Sequence, residues 1–168
     1  MCGIVGYIGN KDPVPILLKG LKRLEYRGYD SSGIALLQEN NLTHIKKAGK
    51  VSDLQLLVDD SSIKGSCGIA HTRWATHGIP NDVNAHPHFD HTGKIALVHN
   101  GIFENHETIK KVLVKQGVHF SSATDTEVIV QLISELYYNN DEKLTFEDAV
   151  RAALQEVIGA YGIVALCA

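Results

Sequence analysis

Short apolar stretches separated by turn residues predict strands both early and late in the chain. Residues 4–8 are apolar and β-branched with glycines between them, a pattern typical of a buried strand that another backbone approaches closely. Residues 33–37 and 42–45 predict a hairpin across a polar turn. Similar patterns predict further strands at residues 67–72, 94–100 and 161–168.

Apolar residues that recur every three to four positions predict helices among these strands. The first helix begins with Asp12 as N-cap and a proline at its first position, and Ser52 caps a short helix that ends near residue 59. Asn105 caps the next helix, Thr124 begins a capping box, and residues 145–148 open the last helix. Because strands and helices do not alternate regularly, the chain predicts an α+β fold rather than a doubly wound parallel sheet.

Composition and charge narrow the class of protein. A chain of 168 residues with 44% apolar and 21% charged residues is typical of one globular domain. A net charge of −3 without a clustered basic face argues against nucleic-acid binding, and no apolar run approaches the ~20 residues that span a membrane. Three cysteines without paired spacing predict reduced thiols and a cytoplasmic location.

Cys2 is the first candidate for chemistry. Its small side chain favours removal of the initiator Met1, which would make Cys2 the N-terminus. A terminal cysteine carries a nucleophilic thiol, with an ordinary pKa of ~8.5, beside an amine of pKa ~7.7–8.0 that can act as a base. The alternative is a small hydrophobic side chain buried in a strand.

Polar residues at the ends of predicted strands and helices are the other candidates. Arg73 follows a strand, and its planar guanidinium fits a carboxylate in bidentate fashion, unless it is simply a solvated surface residue. Asn100 and Gly101 combine a side-chain amide with an unhindered backbone N–H, which suits an oxyanion, although the dipeptide is also a hairpin signal. Asp125, at a helix start, either receives an ammonium group or stabilises the helix dipole.

Histidines between residues 71 and 91 support a second hypothesis, a metal-dependent hydrolase. Histidine and aspartate ligate zinc and iron, but the spacing matches no helical histidine pair and Pro87 interrupts it. We therefore favour a structural role for these histidines and expect no metal and no cofactor. A third hypothesis is a binding or regulatory module without catalytic activity.

Four segments, taken in order, resemble the class II glutamine amidotransferases, a family of N-terminal-nucleophile hydrolases. They are MCGIVG at residues 1–6, LEYRGYDSSG at 24–33, HTRWATHG at 71–78 with a proline following, and NAHPH at 84–88. The resemblance extends over essentially the whole chain and implies a four-layer αββα sandwich. Within the family, residues 24–33 favour the branch that transfers ammonia to fructose 6-phosphate over branches with a phosphoribosyl or aspartyl acceptor.

The resemblance implies a role for each candidate residue. Cys2 would attack the side-chain amide of L-glutamine with its own amine as base. Asn100 and Gly101 would form the oxyanion hole. Arg73 would hold the α-carboxylate of the substrate and Asp125 its α-ammonium group.

Further residues and partners follow from the same resemblance. Trp74, Thr76 and His77 would line the substrate pocket, and Arg27 and Gly28 would support the surroundings of the nucleophile. Residues 1–168 would be a glutaminase domain that is incomplete at its C-terminus. In the branch that uses fructose 6-phosphate, the resemblance implies a C-terminal sugar-phosphate isomerase domain, which would accept the ammonia and form a homodimer.

Overall fold

The computed structural model describes residues 2–28, 30–75, 78–139 and 143–168, and these residues contain two antiparallel sheets. The strands of the first sheet are β1 (Gly3–Ile8), β2 (Ser31–Gln38), β3 (Asn41–Ala48) and β4 (Cys67–Arg73). Those of the second sheet are β5 (His88–Phe89), β6 (Ile95–Gly101) and β7 (Tyr161–Cys167). The strand orders are β1-β4-β2-β3 and β5-β6-β7. Every strand that the sequence predicts is confirmed.

Helices cover the outer faces of the two sheets. They are α1 (Pro13–Leu24), α2 (Val51–Asp59), α3 (His106–Lys115), α4 (Asp125–Tyr138) and α5 (Phe146–Glu156), and one 3₁₀ turn at Glu25–Arg27 follows α1. Among the described residues, no helix combines the length and the apolar character that crossing a membrane requires.

Apolar side chains pack into clusters that separate four layers. The first cluster joins α1 and α2 to the first sheet, the second lies between the sheets, and the third joins α3, α4 and α5 to the second sheet. On β6, Ile95 and Leu97 face the helices whereas Ala96 and Val98 face the other sheet, as the alternation of side chains along a strand requires. Burial of each large apolar side chain contributes about 1.5–3 kcal/mol. The predicted α+β fold and its αββα layering are confirmed.

The predicted helix caps are confirmed in part. The Asp12 carboxylate accepts the Val14 N–H at 3.0 Å, and Thr124 Oγ1 accepts the Glu127 N–H at 3.3 Å. The prediction of Ser52 as a cap is wrong, because α2 begins at Val51 and Lys50 occupies its N-cap position.

Two other features of the helix starts differ from the predictions. The first N–H group of α2, that of Val51, bonds to the Glu25 carboxylate at 2.7 Å, a partner distant in sequence. Asn105 occupies the N-cap position of α3, but its side chain bonds instead to Glu156 O and the Ile158 N–H, each at 2.8 Å.

Candidate active site

Strand alternation brings the candidate residues to one end of the gap between the two sheets. Ile69 on β4 and Val98 on β6 both belong to the apolar cluster in this gap. Because side chains two positions apart share a face of a strand, His71 and Arg73 continue the inner face of β4, and Asn100 continues that of β6.

Cys2 directly precedes β1 and lies at the same end of the gap. Its Sγ accepts a hydrogen bond from the Trp74 N–H at 3.1 Å. Its backbone carbonyl accepts a hydrogen bond from Asn100 Nδ2 at 3.3 Å. The thiol therefore lies between the backbone that follows β4 and the side-chain amide near the end of β6.

A small cavity beside Cys2 contains charged groups of opposite sign. Arg73 and Asp125 both line it and are only 3% and 4% exposed, and Trp74 and Gly101 also contribute to its wall. Its volume is about 20 Å³, which is room for a single water molecule. A thiol, a buried cation and a buried carboxylate thus line one small cavity.

Burial determines the electrostatics of Arg73. Loss of hydration lowers the pKa of Arg73, while negative charge on Cys2, Asp125 and Asp30 raises it. The guanidinium nevertheless stays charged at neutral pH, because its ordinary pKa lies above ~12. Its Nη2 donates to Gly78 O at 3.3 Å. A buried guanidinium of this kind favours an anionic ligand such as a carboxylate.

Asp30 holds the backbone on which Arg73 and Trp74 lie. Its carboxylate accepts the Ala75 N–H at 2.7 Å, and its own N–H donates to Arg73 O at 3.0 Å. These two bonds fix the path of the chain as it leaves β4.

Asp125 is the first residue of α4, so its carboxylate lies at the positive end of a helix dipole. Its Oδ2 accepts the Phe103 N–H at 2.9 Å and lies 3.9 Å from His99 Nδ1. Both the dipole and the backbone donor stabilise a negative charge, which suits a group that would bind an ammonium ion.

Asn100 and Gly101 lie in β6, where they pair with Gly162 and Tyr161 of β7, so the alternative of a hairpin turn is wrong. Gly101 has a φ of +138°, a conformation that disfavours residues with a Cβ. A Cβ at this position would also lie 2.3 Å from Ala160 O. Both observations explain why glycine occupies the position.

Four buried histidines, His71, His86, His88 and His99, lie around the candidate site. The rings of His71 and His86 stack at 4.1 Å, and His88 meets His86 edge-on at 4.9 Å. Burial lowers the pKa of His71 to about 4 and lowers the pKa values of His86 and His88 well below the ordinary 6.5. These three rings are therefore neutral at neutral pH.

The fourth histidine, His99, is linked to His86 through the hydroxyl group of Thr126. His99 Nδ1 lies 3.0 Å from Thr126 Oγ1, which in turn lies 3.2 Å from His86 Nε2. Within the described ranges, no group of three or more His, Cys, Asp or Glu side chains is arranged to hold a metal ion. The metal-dependent hypothesis therefore has no ligand set among those residues.

Cys2 also lines a larger cavity of about 600 Å³. Arg27, Trp74 and Asn100 line it together with the apolar side chain of Ile102. Arg27 thus lines the same cavity as Cys2.

The other predicted site residues stand as follows. Gly28 is buried at the end of the 3₁₀ turn, where its N–H bonds to Glu25 O at 3.1 Å, and it lines neither cavity. Thr76 and His77 lie outside the described residues. The structure therefore brings together Cys2 and, around it, Arg27, Arg73, Trp74, Asn100, Gly101 and Asp125.

Several residues at the site were not identified from the sequence as part of it. They include Asp30, His99 and Thr126, and for His71 the sequence favours a structural role over that of a metal ligand without assigning it to the site. The alternation of side chains along β4 could have identified His71, because residues two positions apart lie on the same face of a strand and Arg73 is two positions further along. No comparable local signal exists for Asp30, whose bond to the Ala75 N–H joins segments that are distant in sequence.

Comparisons with known proteins place the chain in a family. Residues 58–145 match the family described as "Glutamine amidotransferase domain". A curated protein of Bacteroides thetaiotaomicron named glutamine–fructose-6-phosphate aminotransferase (isomerizing) is 55% identical over 99% of this chain and 27% of its own length. A Pyrococcus horikoshii protein of the same name is 52% identical over 100% of this chain and 28% of its own length. The chain therefore spans little more than a quarter of these relatives.

Solved structures show the same fold. A glutamine phosphoribosylpyrophosphate amidotransferase from B. subtilis, complexed with ADP and GMP, superposes with a TM-score of 0.83 at 28% identity. The match covers 98% of this chain and 35% of that one. A structure described as the allosteric regulatory enzyme of purine biosynthesis gives a TM-score of 0.84 at 29% identity over 97% of this chain and 35% of that one.

Proposed function

Since this chain belongs to the glutamine amidotransferase family, we propose that it hydrolyses L-glutamine to glutamate and ammonia with Cys2 as the nucleophile. The observation that carries the proposal is the small cavity that Cys2, Arg73 and Asp125 line together. An α-amino acid presents a carboxylate and an ammonium group at one end, and the cavity offers one charged partner for each.

The reaction proceeds in two steps on the sulfur of Cys2. Once Met1 is removed, the α-amine of Cys2 accepts the thiol proton, and the thiolate attacks the amide carbon of the glutamine side chain. The tetrahedral intermediate places a negative charge on the former amide oxygen, and Asn100 Nδ2 and the Gly101 N–H stabilise it. As the intermediate collapses, the α-ammonium group of Cys2 returns the proton to the leaving nitrogen, the C–N bond breaks and ammonia is released. A γ-glutamyl thioester remains on Cys2. Water then hydrolyses the thioester to glutamate and the free thiol.

Binding of glutamine requires the cavity to widen. Its volume of about 20 Å³ holds one water molecule rather than an amino acid. The larger cavity of about 600 Å³, which Cys2 also lines, gives the side chain of the substrate access to the nucleophile. Arg73 and Asp125 then fix the two charged groups of the substrate, and Trp74, Thr76 and His77 complete the pocket wall.

We also propose the acceptor and the context of the reaction. The ammonia goes to fructose 6-phosphate on a sugar-phosphate isomerase domain, and residues 1–168 are the glutaminase part of a longer cytoplasmic homodimer. The names of the relatives, their greater length and residues 24–33 support this assignment. The free state of Cys2, Cys67 and Cys167 agrees with a cytoplasmic location.

Release of glutamate from L-glutamine by the full chain tests the catalytic proposal. Cys2→Ala should lower the rate at least about 1,000-fold, because loss of a catalytic nucleophile removes the covalent route. The matched control, Cys67→Ala, removes a buried thiol remote from the site and should retain activity. An uncleaved residue before Cys2 should also abolish activity, since the amine becomes an amide. Full activity of Cys2→Ala or of the blocked chain would refute the proposal.

A further inference from the structure

His71 is a fully buried residue of β4 whose ring reaches the amide of Asn100. Its Nε2 lies 2.9 Å from Asn100 Oδ1 and 3.1 Å from His99 O. A backbone carbonyl can only accept a hydrogen bond, so Nε2 carries the proton of the ring and donates toward both oxygens.

The two ends of the Asn100 amide are thereby distinguished. A protonated Nε2 on His71 requires the oxygen of the amide, not its nitrogen, on that side. On the other side, the amide faces the backbone carbonyl of Cys2 at 3.3 Å, which requires the nitrogen. The backbone carbonyl of His99, through the His71 ring, and the backbone carbonyl of Cys2 therefore select a single orientation of the Asn100 amide.

The surroundings also hold the His71 ring in place. The ring stacks on that of His86 at 4.1 Å and is 0% exposed. Burial lowers the pKa of His71 to about 4, so the ring is neutral with a single proton to donate. This orientation of the ring is favoured because rotating it would remove the donor from both His99 O and Asn100 Oδ1.

We propose that His71 is a positioning residue for the glutaminase reaction: it holds the Asn100 amide with Nδ2 directed toward Cys2, where the oxyanion forms. This inference rests on the proposed function. His71 does not touch the substrate, and its whole effect on the rate passes through Asn100. Without the His71 donor, the amide can rotate, and its oxygen can then face the developing negative charge.

A double-mutant cycle on glutamine hydrolysis tests this dependence. Asn100→Ala should lower kcat about 100- to 1,000-fold, as removal of an oxyanion donor does in other enzymes. His71→Phe should lower kcat about 10- to 100-fold, with KM within about twofold of wild type. The double variant should match Asn100→Ala within about threefold, because His71 has no effect once the amide is gone. His71→Gln, which keeps an N–H donor, should recover part of the loss.

His88 provides the matched control, because it is another buried histidine of the cluster and bonds to Thr124 rather than to Asn100. The effects of His88→Phe and Asn100→Ala on kcat should multiply. If those of His71→Phe and Asn100→Ala multiply as well, or if His71→Phe keeps the wild-type kcat, the positioning role is wrong. Inactivity of wild type, or full activity of Cys2→Ala, would instead refute the proposed function.

A binding measurement covers the case in which His71→Phe does not fold or turn over. The γ-aldehyde analogue of glutamate adds the Cys2 thiol to its carbonyl, and the resulting tetrahedral oxygen occupies the oxyanion position. In His71→Gln and in His71→Phe, affinity for this aldehyde should fall while affinity for glutamate stays within about twofold of wild type. An equal fall for both ligands would overturn the inference.

Discussion

The side-chain carbonyl of Asn84 accepts the backbone N–H of Ala123 at 3.0 Å, across 39 positions of sequence. On its other side, Asn84 Nδ2 donates to Ile79 O at 3.0 Å. Asn84 is 4% exposed, so water does not compete for either bond. It thus ties the segment after β4, which contacts Arg73 through Gly78 O, to the segment that begins α4 at Asp125.

We expect Asn84→Ala to weaken substrate binding more than chemistry. Loss of the tie lets the two segments that hold the charged ends of glutamine shift apart, so KM should rise about 3- to 10-fold with kcat within about twofold. Steady-state kinetics of glutamine hydrolysis measure both values. Asn84→Asp keeps the acceptor but loses the donor, and its KM should fall between those of wild type and Asn84→Ala. A kcat loss without a change of KM would contradict this expectation.

Replacement of Arg73 by lysine should raise KM for glutamine. Lysine keeps the charge but loses the planar pair of donors that fits a carboxylate, and we expect KM to increase at least about 10-fold. Arg151→Lys on the exposed face of α5 is the matched control and should leave the kinetics unchanged. A wild-type KM for Arg73→Lys would show that this guanidinium does not hold the substrate carboxylate.

Gly101→Ala should destabilise the fold. The added Cβ meets Ala160 O at 2.3 Å in a strand where φ is +138°, and we expect a loss of at least about 2–3 kcal/mol in the free energy of unfolding. Gly93→Ala is the control, because Gly93 also has a positive φ, +70°, but nothing lies within 4 Å of its added Cβ. Urea unfolding should show a clearly smaller loss for Gly93→Ala. Equal losses would mean that the contact with Ala160 O is not the cause.

Stability should fall as the pH drops from about 6.5 toward about 4, because three buried histidines stay neutral in the folded state. In this window the unfolded chain binds protons that the folded protein does not, so each of His71, His86 and His88 contributes a slope of ~1.4 kcal/mol per pH unit. The stabilising effect is fully present above pH ~6.5. Urea unfolding between about pH 5 and pH 6.5 measures this slope above the ordinary range of carboxylates, and His44, whose pKa burial also lowers, adds to it in the same sense.

His86→Gln is the informative variant for this prediction. It removes one titrating ring, so the slope of unfolding free energy against pH should decrease by ~1.4 kcal/mol per unit. The exposed His119 is the control, and His119→Gln should leave the slope unchanged. A slope that is unaffected by His86→Gln would mean that this ring does not resist protonation.

Most of the architecture could be predicted because its signals are local. The Asp12 cap and the apolar period behind it identify α1, and the alternation around residues 33–45 identifies the β2–β3 hairpin. The αββα layering came from the resemblance, since the pairing order β1-β4-β2-β3 depends on contacts that no local pattern reveals. The start of α2 was missed for a similar reason, because Glu25, rather than a nearby side chain, binds its first N–H.

The candidate site likewise contains residues that local sequence could identify and residues whose roles depend on distant contacts. Cys2, Arg73 and Asp125 could be nominated from the sequence alone, because a terminal nucleophile, a guanidinium and a carboxylate each have a chemical rationale. Membership of a quoted motif does not separate them from His71, Asp30 and Asn84. His71, Asp30 and Asn84 act through partners that lie far away in the sequence, and only the packing of the two sheets brings those partners within hydrogen-bond distance. The alternative of a hairpin at Asn100 failed because β7, about 60 residues later, continues the ladder through it.

The most direct test of the central claim is to identify the thiol that reacts with a glutamine-like electrophile. An L-glutamine analogue with a diazoketone in place of the amide alkylates a nucleophile held beside a bound amino acid. Intact-mass spectrometry of the full chain, followed by peptide mapping, should find Met1 removed and one adduct on Cys2, with excess L-glutamine preventing it. An adduct on Cys67 or Cys167, or no protection by L-glutamine, would contradict the account.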